Sequence, residues 1–242
     1  MSNHNLILRS LIFYFGYIAS ALLAGLLACC VGPFLQLNHR MKLFSLWPRF
    51  ANWFLYLTCN ISISIEGKEN IPKDPCIIVS NHQGQWETFY FQYLFYPMVT
   101  VLKKELLYIP FWGWGMWLLK PIAINRKKVN AAFNKIKSKG AERLGSGLSI
   151  LFFPEGTRNS PGNVGKYSGS AFSLAKSSSV PILPMVHNSG DCWQAHKFLK
   201  RPGIIHLKIG PTFFVEESPR AGAKKAEEWT RKNLEEIRVK SS

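Results

Sequence analysis

The stretch CIIVSNHQGQWETFYFQYL, residues 76–94, changes its period part-way along. Residues 76–80 form a short apolar run of the kind a buried strand presents. From Phe89 onward the apolar positions Phe89, Tyr90, Tyr93 and Leu94 begin a helical pattern. A polar turn joins the two, and its Asn81 is a residue type that caps helices. The segment reads as strand, turn and helix, with His82 at the turn.

Other apolar, β-rich runs occupy residues 61–65, 98–102, 121–124, 148–153, 182–186 and 204–209. Seven runs in all are enough for one sheet. Helical patterns separate them, the clearest being Val129, Ala132, Phe133, Ile136, Gly140 and Leu144, with lysines on the other side. Strands alternating with helices predict an α/β fold: one domain with a central, largely parallel or mixed sheet of about seven strands flanked by helices. In such folds, sites gather in the loops beyond the strand ends. Residues 222–240 read as a charged surface helix with Ala226, Trp229 and Ile237 turned inward. At 242 residues the chain suits one domain, and no linker stands out.

A net charge of +16, from 30 Lys and Arg against 14 Asp and Glu, calls for an anionic partner. Eight Trp and seventeen Phe, many in runs such as FWGWGMWLL (111–119), favour a membrane surface over nucleic acid. That run either dips into a leaflet or forms a Trp-rich core loop. Residues 11–31, LIFYFGYIASALLAGLLACCV, carry no formal charge and are long enough to cross a bilayer core. Three readings fit: a spanning helix, one arm of a helical pair dipping into a single leaflet, and a cleaved lipoprotein-type signal marked by LLAC. Only Arg9 precedes the segment, whereas Arg40, Lys42 and Arg49 follow it, which places the bulk of the chain in the cytoplasm. Residues 34–63 mix Leu, Phe and Trp with cations, as an interfacial helix or an ordinary core helix would. The expected division is 1–60 as N-terminal membrane-associated helices and 61–242 as the catalytic domain. Five cysteines form no CxxC pair and no zinc spacing, so a reducing compartment is the simpler reading. The histidines fall in separate segments without ligand spacing, which predicts no metal and no cofactor.

Two constellations carry chemistry. With His82 standing ahead of the helix, Glu87 can accept a hydrogen bond from one imidazole nitrogen and fix the tautomer. The other nitrogen is then free to take a proton from a hydroxyl. The alternative is a structural turn histidine. No Ser or Cys stands at a G-x-S-x-G elbow, so such a dyad would activate the substrate's own hydroxyl. The second constellation is FFPEGTRNS (152–160), where Glu155, Gly156, Thr157 and Arg158 follow an apolar strand. Backbone N–H groups, a hydroxyl and a guanidinium there match a phosphate monoester; a plain Pro-Gly turn is the bland reading. Arg126 and Lys103 also follow strand ends and point to the same edge.

On these residues the chain resembles the glycerolipid acyltransferase family, and within it the 1-acylglycerol-3-phosphate acyltransferases. The family's N-H-x-x-x-x-D block is matched by Asn81, His82 and Glu87, the last with a carboxylate arm one methylene longer. Its I-x-R block is matched by Ile124, Asn125 and Arg126, its F-P-E-G-T-R block by Phe153 to Arg158, and its V-P-[IVL]-x-P-[VM] block by VPILPM. The resemblance covers about residues 70–190. It implies that His82, oriented by Glu87, deprotonates the sn-2 hydroxyl of lysophosphatidic acid, which attacks the thioester of acyl-CoA or acyl carrier protein. Arg126, Gly156, Thr157 and Arg158, with Lys103, would hold the acceptor's phosphate. Glu155 would either accept from the glycerol or pin the turn. Expected partners are the acyl donor, lysophosphatidic acid and membrane phospholipids at the inner membrane's cytoplasmic face, and no nucleic acid. Another lysophospholipid, a lyso-aminolipid or a lipid A precursor as acceptor, and a non-enzymatic basic membrane adaptor, are the competing readings.

Overall fold

All seven apolar runs become strands of one sheet. In chain order they are β1 (Ile61–Glu66), β2 (Ile77–Ser80), β3 (Met98–Lys103), β4 (Ile122–Ile124), β5 (Ser149–Phe152), β6 (Ile182–His187) and β7 (Gly203–Ile209). The computed structural model describes residues 3–241. Across the sheet the order is β1-β7-β6-β2-β5-β3-β4. Neighbours run parallel except β6 and β7, which are antiparallel. Strands β2, β3, β4 and β5 therefore deliver their C-terminal ends to one edge.

The nine helices of the described residues are α1 (Asn3–Val31), α2 (Leu37–Phe44), α3 (Leu46–Cys59), α4 (Trp86–Leu94), α5 (Trp112–Leu118), α6 (Val129–Gly145), α7 (Ser170–Ser178), α8 (Ser189–Cys192) and α9 (Pro219–Ser241). Side chains alternate between the two faces of a strand, and this sorts the core into two layers. Ile77, Val79, Ile150, Phe152 and Ile182 pack with residues of α6, α7 and α9. Ile78, Leu151, Leu183 and Met185 pack with residues of α1, α3 and α4. Because both faces are covered, the central strands read as unbroken apolar runs.

Two expectations need correction. Residues 34–63 do not form one helix: the chain is divided at Ser45 between α2 and α3. It then stops at Asn60, whose left-handed backbone (φ 54°) ends α3 and lets β1 begin. In α6 the buried stripe is Ala132, Ile136, Gly140 and Leu144. Val129 and Phe133 stand on the same stripe but are 71% and 40% exposed. They belong to the first turns after β4. Gly140 lets α6 press against α7, since a Cβ there would lie 2.3 Å from Leu174 Cδ2.

Helix α1 is docked along its length. Phe13 is fully buried, with its ring edge-on to Trp193 at 5.1 Å. Gly16 lies under the Phe54 ring and Gly25 against the Phe111 backbone. Ser10 Oγ accepts the Lys200 N–H at 2.9 Å. The buried Lys200 ammonium donates to Tyr14 Oη and to the Phe198 carbonyl, both at 2.7 Å. The outer side of α1 leaves Leu8, Leu11, Ile12, Phe15, Leu23 and Leu27 exposed. With a mean hydropathy of 2.0, the helical segment Asn3–Phe34 is long and apolar enough to cross a membrane.

Such docking has a measurable consequence. Phe13→Ala is expected to destabilise the whole fold by about 3–5 kcal/mol, as for other buried aromatic truncations. Denaturant unfolding in detergent checks this; unchanged stability would mean that α1 stands apart from the sheet.

Candidate active site

Strand β2 ends at Ser80, and the next residues turn the chain into α4. Asn81 does not cap that helix. Its amide bridges to β6 instead, with Nδ2 donating to the His187 carbonyl (2.9 Å) and Oδ1 accepting the His187 N–H (3.1 Å). Glu87 lies in the first turn of α4. Its Oε1 accepts the N–H groups of Gln83 (2.7 Å) and Gly84 (2.6 Å), which bends the carboxylate back over the turn. Position 84 must be glycine, because a Cβ would sit 2.5 Å from the Trp193 carbonyl oxygen.

The same Oε1 lies 2.8 Å from His82 Nδ1, and Oε2 accepts from Ser189 Oγ at 2.9 Å. A carboxylate can only accept, so Nδ1 carries the proton and Nε2 keeps a free lone pair. The His82 ring is stacked on Phe153, centroids 4.2 Å apart. Glu87 is completely buried, and burial alone would raise its pKa. The fields of His187 and His82 and the N–H donors outweigh this and hold it well below the usual carboxylate range. His187 is itself kept neutral by burial, with Nε2 donating to the Asn81 carbonyl (3.0 Å) and Nδ1 accepting the Ser189 N–H (3.3 Å). At neutral pH the hydrogen bonds are therefore what keep Glu87 ionised.

Strand β5 supplies the neighbouring turn. Glu155 Oε1 accepts the His82 N–H at 2.8 Å, and its Oε2 accepts the Gly165 N–H at 2.7 Å and the Asn159 side-chain amide. Of its two expected jobs the geometry shows the pinning of the turn. Gly156 takes a left-handed conformation (φ 72°), and its carbonyl accepts from the Arg126 guanidinium at the end of β4. His82, Glu87, Glu155, Gly156 and Arg126 thus form one connected set. The Thr157 and Lys103 side chains are exposed, and Lys103 is held through its backbone in the β3–β4 ladder opposite Ile124. Arg158 lines a cavity of about 290 Å³ with Tyr14, Gln85, Trp193, His196 and Lys197, and Arg126 is not part of that lining. The wall of that cavity is tied to the histidine turn by Ala195 N–H donating to the Gln83 carbonyl at 3.1 Å.

The sequence profile of the acyltransferase family matches residues 62–188, the span that holds every residue of this connected set. This chain belongs to the acyltransferase family. A Pseudomonas aeruginosa protein named 1-acyl-sn-glycerol-3-phosphate acyltransferase is 41% identical over 235 residues, 95% of this chain and 91% of its own. Mouse 1-acyl-sn-glycerol-3-phosphate acyltransferase alpha is 28% identical over 208 residues, 84% of this chain and 71% of its own. The crystal structure of the 1-acyl-sn-glycerophosphate (LPA) acyltransferase PlsC from Thermotoga maritima shares the fold, with a TM-score of 0.80 at 23% identity over 98% of each chain.

Several residues of this acyltransferase's site escape sequence reasoning. Ser189 holds Glu87, and Tyr14, Gln85, His196 and Lys197 share the cavity with Arg158. Tyr14 precedes the matched span and the 193–198 loop follows it. They meet only through tertiary packing, which leaves no local pattern to read.

Burial pushes the Glu155 carboxyl up to about 7, against its three donors and helped by the nearby Glu87 charge. A raised carboxyl binds more protons in the folded state than in the unfolded one between about 4.5 and 7. Its contribution to stability is therefore present below about 4.5 and is lost as pH rises through about 7. Glu155→Gln is expected to flatten that part of the stability profile, measured by unfolding midpoints across the window. An unchanged slope would show that Glu155 does not titrate there.

Proposed function

We propose that this acyltransferase moves an acyl group from an acyl thioester, acyl-CoA or acyl carrier protein, to the sn-2 hydroxyl of 1-acyl-glycerol-3-phosphate, giving phosphatidic acid for phospholipid synthesis. The observation that carries this reading is His82 Nδ1 held 2.8 Å from the buried Glu87 carboxylate, beside an arginine-lined cavity. The named activities of the relatives agree with it.

His82 Nε2 takes the hydroxyl proton as the substrate oxygen attacks the thioester carbonyl carbon. A tetrahedral oxyanion forms, which backbone N–H groups beyond Gly156 in the same turn would stabilise. It collapses with cleavage of the C–S bond, and the departing sulfur takes the proton from His82. The products are phosphatidic acid and a free thiol, and the atoms balance without a metal or cofactor. Glu87 keeps Nδ1 protonated and stabilises the imidazolium formed on the way. The acceptor's phosphate sits in the Arg158 cavity, with Lys197 as a second cation. A volume of about 290 Å³ suits a headgroup, while the chain extends outside. Arg126 holds the turn through the Gly156 carbonyl, and Lys103 adds positive potential at the same edge.

Residues 1–60 form the membrane-associated part and 61–242 the catalytic domain. The outward side chains of α1, with Phe50 and Trp53 of α3 and Trp114 and Trp117 of α5, give an apolar and aromatic surface suited to the headgroup boundary. Since α1 is docked to the rest of the fold along its length, it lies in one leaflet rather than crossing. The catalytic domain rests on the cytoplasmic face of the inner membrane, a reading supported by Arg40, Lys42 and Arg49, whose charge suits the anionic lipids of that leaflet.

His82→Ala is expected to lower kcat by roughly 10²–10⁴-fold while leaving vesicle binding unchanged and the protein folded, at a cost of about 1.5–3 kcal/mol for the hydrogen bond lost to Glu87. Near-normal turnover would remove His82 as the base. Arg158→Ala is expected to raise the KM for lysophosphatidic acid by about ten- to a hundredfold, the equivalent of one charge-assisted hydrogen bond. An equal rise for an acceptor without a phosphate would place that group elsewhere.

A further inference from the structure

Lys200 is 1% exposed, and among the described residues no carboxylate pairs with it. An ammonium group has three hydrogens and no lone pair, so it can only donate. All three have acceptors: the Tyr14 hydroxyl oxygen and the Phe198 carbonyl, both at 2.7 Å, and the Lys197 carbonyl at 3.3 Å. The charge also lies over the rings of Tyr14 (4.2 Å) and Trp193 (5.0 Å). Burial pushes its pKa down to about 8, which leaves it charged at neutral pH. A buried cation whose partners are all neutral is costly for a fold to keep. The residues around it share one property: Tyr14, Trp193, Lys197 and Phe198 all line the cavity that holds Arg158. Lys200 is not part of that lining and has no hydrogen left to offer a ligand, so it acts on the cavity through its neighbours.

Tyr14 is the neighbour able to pass the effect on. A phenol carries one hydrogen to donate and lone pairs that accept. Because the ammonium can only donate, the Tyr14 oxygen accepts from it, and the hydroxyl hydrogen has no acceptor among the described residues. Accepting a charge-assisted bond polarises the O–H and makes it a stronger donor. Arg158 and Lys197 give the same cavity two cations, and no carboxylate is part of its lining. Gln85, in the turn between His82 and Glu87, lines it too, so a group bound there adjoins the catalytic turn. An anion with free oxygen lone pairs answers the hydroxyl, the two cations and the buried charge together. We propose that Tyr14, on helix α1, donates its hydroxyl hydrogen to the acceptor's phosphate, and that Lys200 is the positioning residue that orients and polarises it. This rests on the placing of the phosphate in the Arg158 cavity above. It makes α1 part of the headgroup site as well as of the membrane surface.

The test measures kcat and the KM of each substrate, lysophosphatidic acid and the acyl thioester, in detergent micelles. Wild type is compared with Tyr14→Phe, Lys200→Met, the double variant and Arg158→Ala. Tyr14→Phe keeps the ring and is expected to raise the lysophosphatidic acid KM about tenfold, the loss of one hydrogen bond to a charged group. Its kcat and thioester KM are expected to change by less than about twofold, since that bond is made equally in the ground and transition states. Lys200→Met is expected to act in the same direction, by about threefold or more, because the hydroxyl remains without its polarising charge. Added to Tyr14→Phe, it is expected to change that KM by less than about twofold, because its effect runs through the hydroxyl. The double variant also keeps the test decisive if a single variant misfolds, since it leaves no buried ammonium short of an acceptor. An unchanged lysophosphatidic acid KM in Tyr14→Phe, or in the double variant, would overturn the proposal. So would multiplying effects in the double variant. A comparable rise in the thioester KM, or a fall in kcat alone, would also overturn it and leave Tyr14 and Lys200 as a clamp between α1 and the loop. Arg158→Ala separates the two levels of the argument. A raised lysophosphatidic acid KM there, with none in Tyr14→Phe, removes the hydroxyl contact alone. No rise in Arg158→Ala removes the cavity as the phosphate site, and the proposal with it.

Discussion

The carboxylate of Glu87 has no exposure to solvent and must be ionised to serve its neighbours. A buried charge is tolerated only when its lone pairs are met by donors. Here they are met by His82, by two backbone N–H groups and by Ser189. Those donors come from two separate segments, the turn after β2 and the start of α8. Removing any one of them leaves a charged acceptor short of a partner, a loss of about 1.5–3 kcal/mol for a hydrogen bond to a charged group. The position of the imidazole is therefore set by the requirement to solvate an acid.

The sheet makes this meeting possible. Parallel pairing of β6, β2 and β5 aligns their C-terminal ends, so that His82, Glu155 and His187 leave adjacent strands at the same level. Asn81 ties β2 to β6, and Glu155 ties the β5 turn to the His82 backbone. Each bridge joins neighbouring strand ends, which gives the site the rigidity of the core beneath it. Arg158 leaves this network and turns toward the 193–198 loop.

The strands were legible because β2, β5 and β6 are buried on both faces and leave continuous apolar runs. The pairing of His82 with Glu87 was legible from spacing, provided that the helix begins after the histidine, and α4 begins at Trp86. Position was harder to read than chemistry. Asn81 looked like a cap because local propensity favours it, but a stronger use existed across the sheet at His187. Val129 and Phe133 looked like core residues because periodicity fixes direction around a helix, not which of its turns meet a neighbour. Tyr14 and Lys197 meet Arg158 through packing of distant segments, and no single segment records it.

The central claim is that Glu87 holds the His82 proton on Nδ1 and leaves Nε2 as the base. The ¹⁵N chemical shifts of the His82 ring, in histidine-labelled protein at alkaline pH, test it most directly. The account predicts a protonated Nδ1 and a bare Nε2, with the populations of the two nitrogens disturbed in Glu87→Gln. A bare Nδ1 with the proton on Nε2 in the wild type would contradict it, because that nitrogen could not then accept a proton from a hydroxyl.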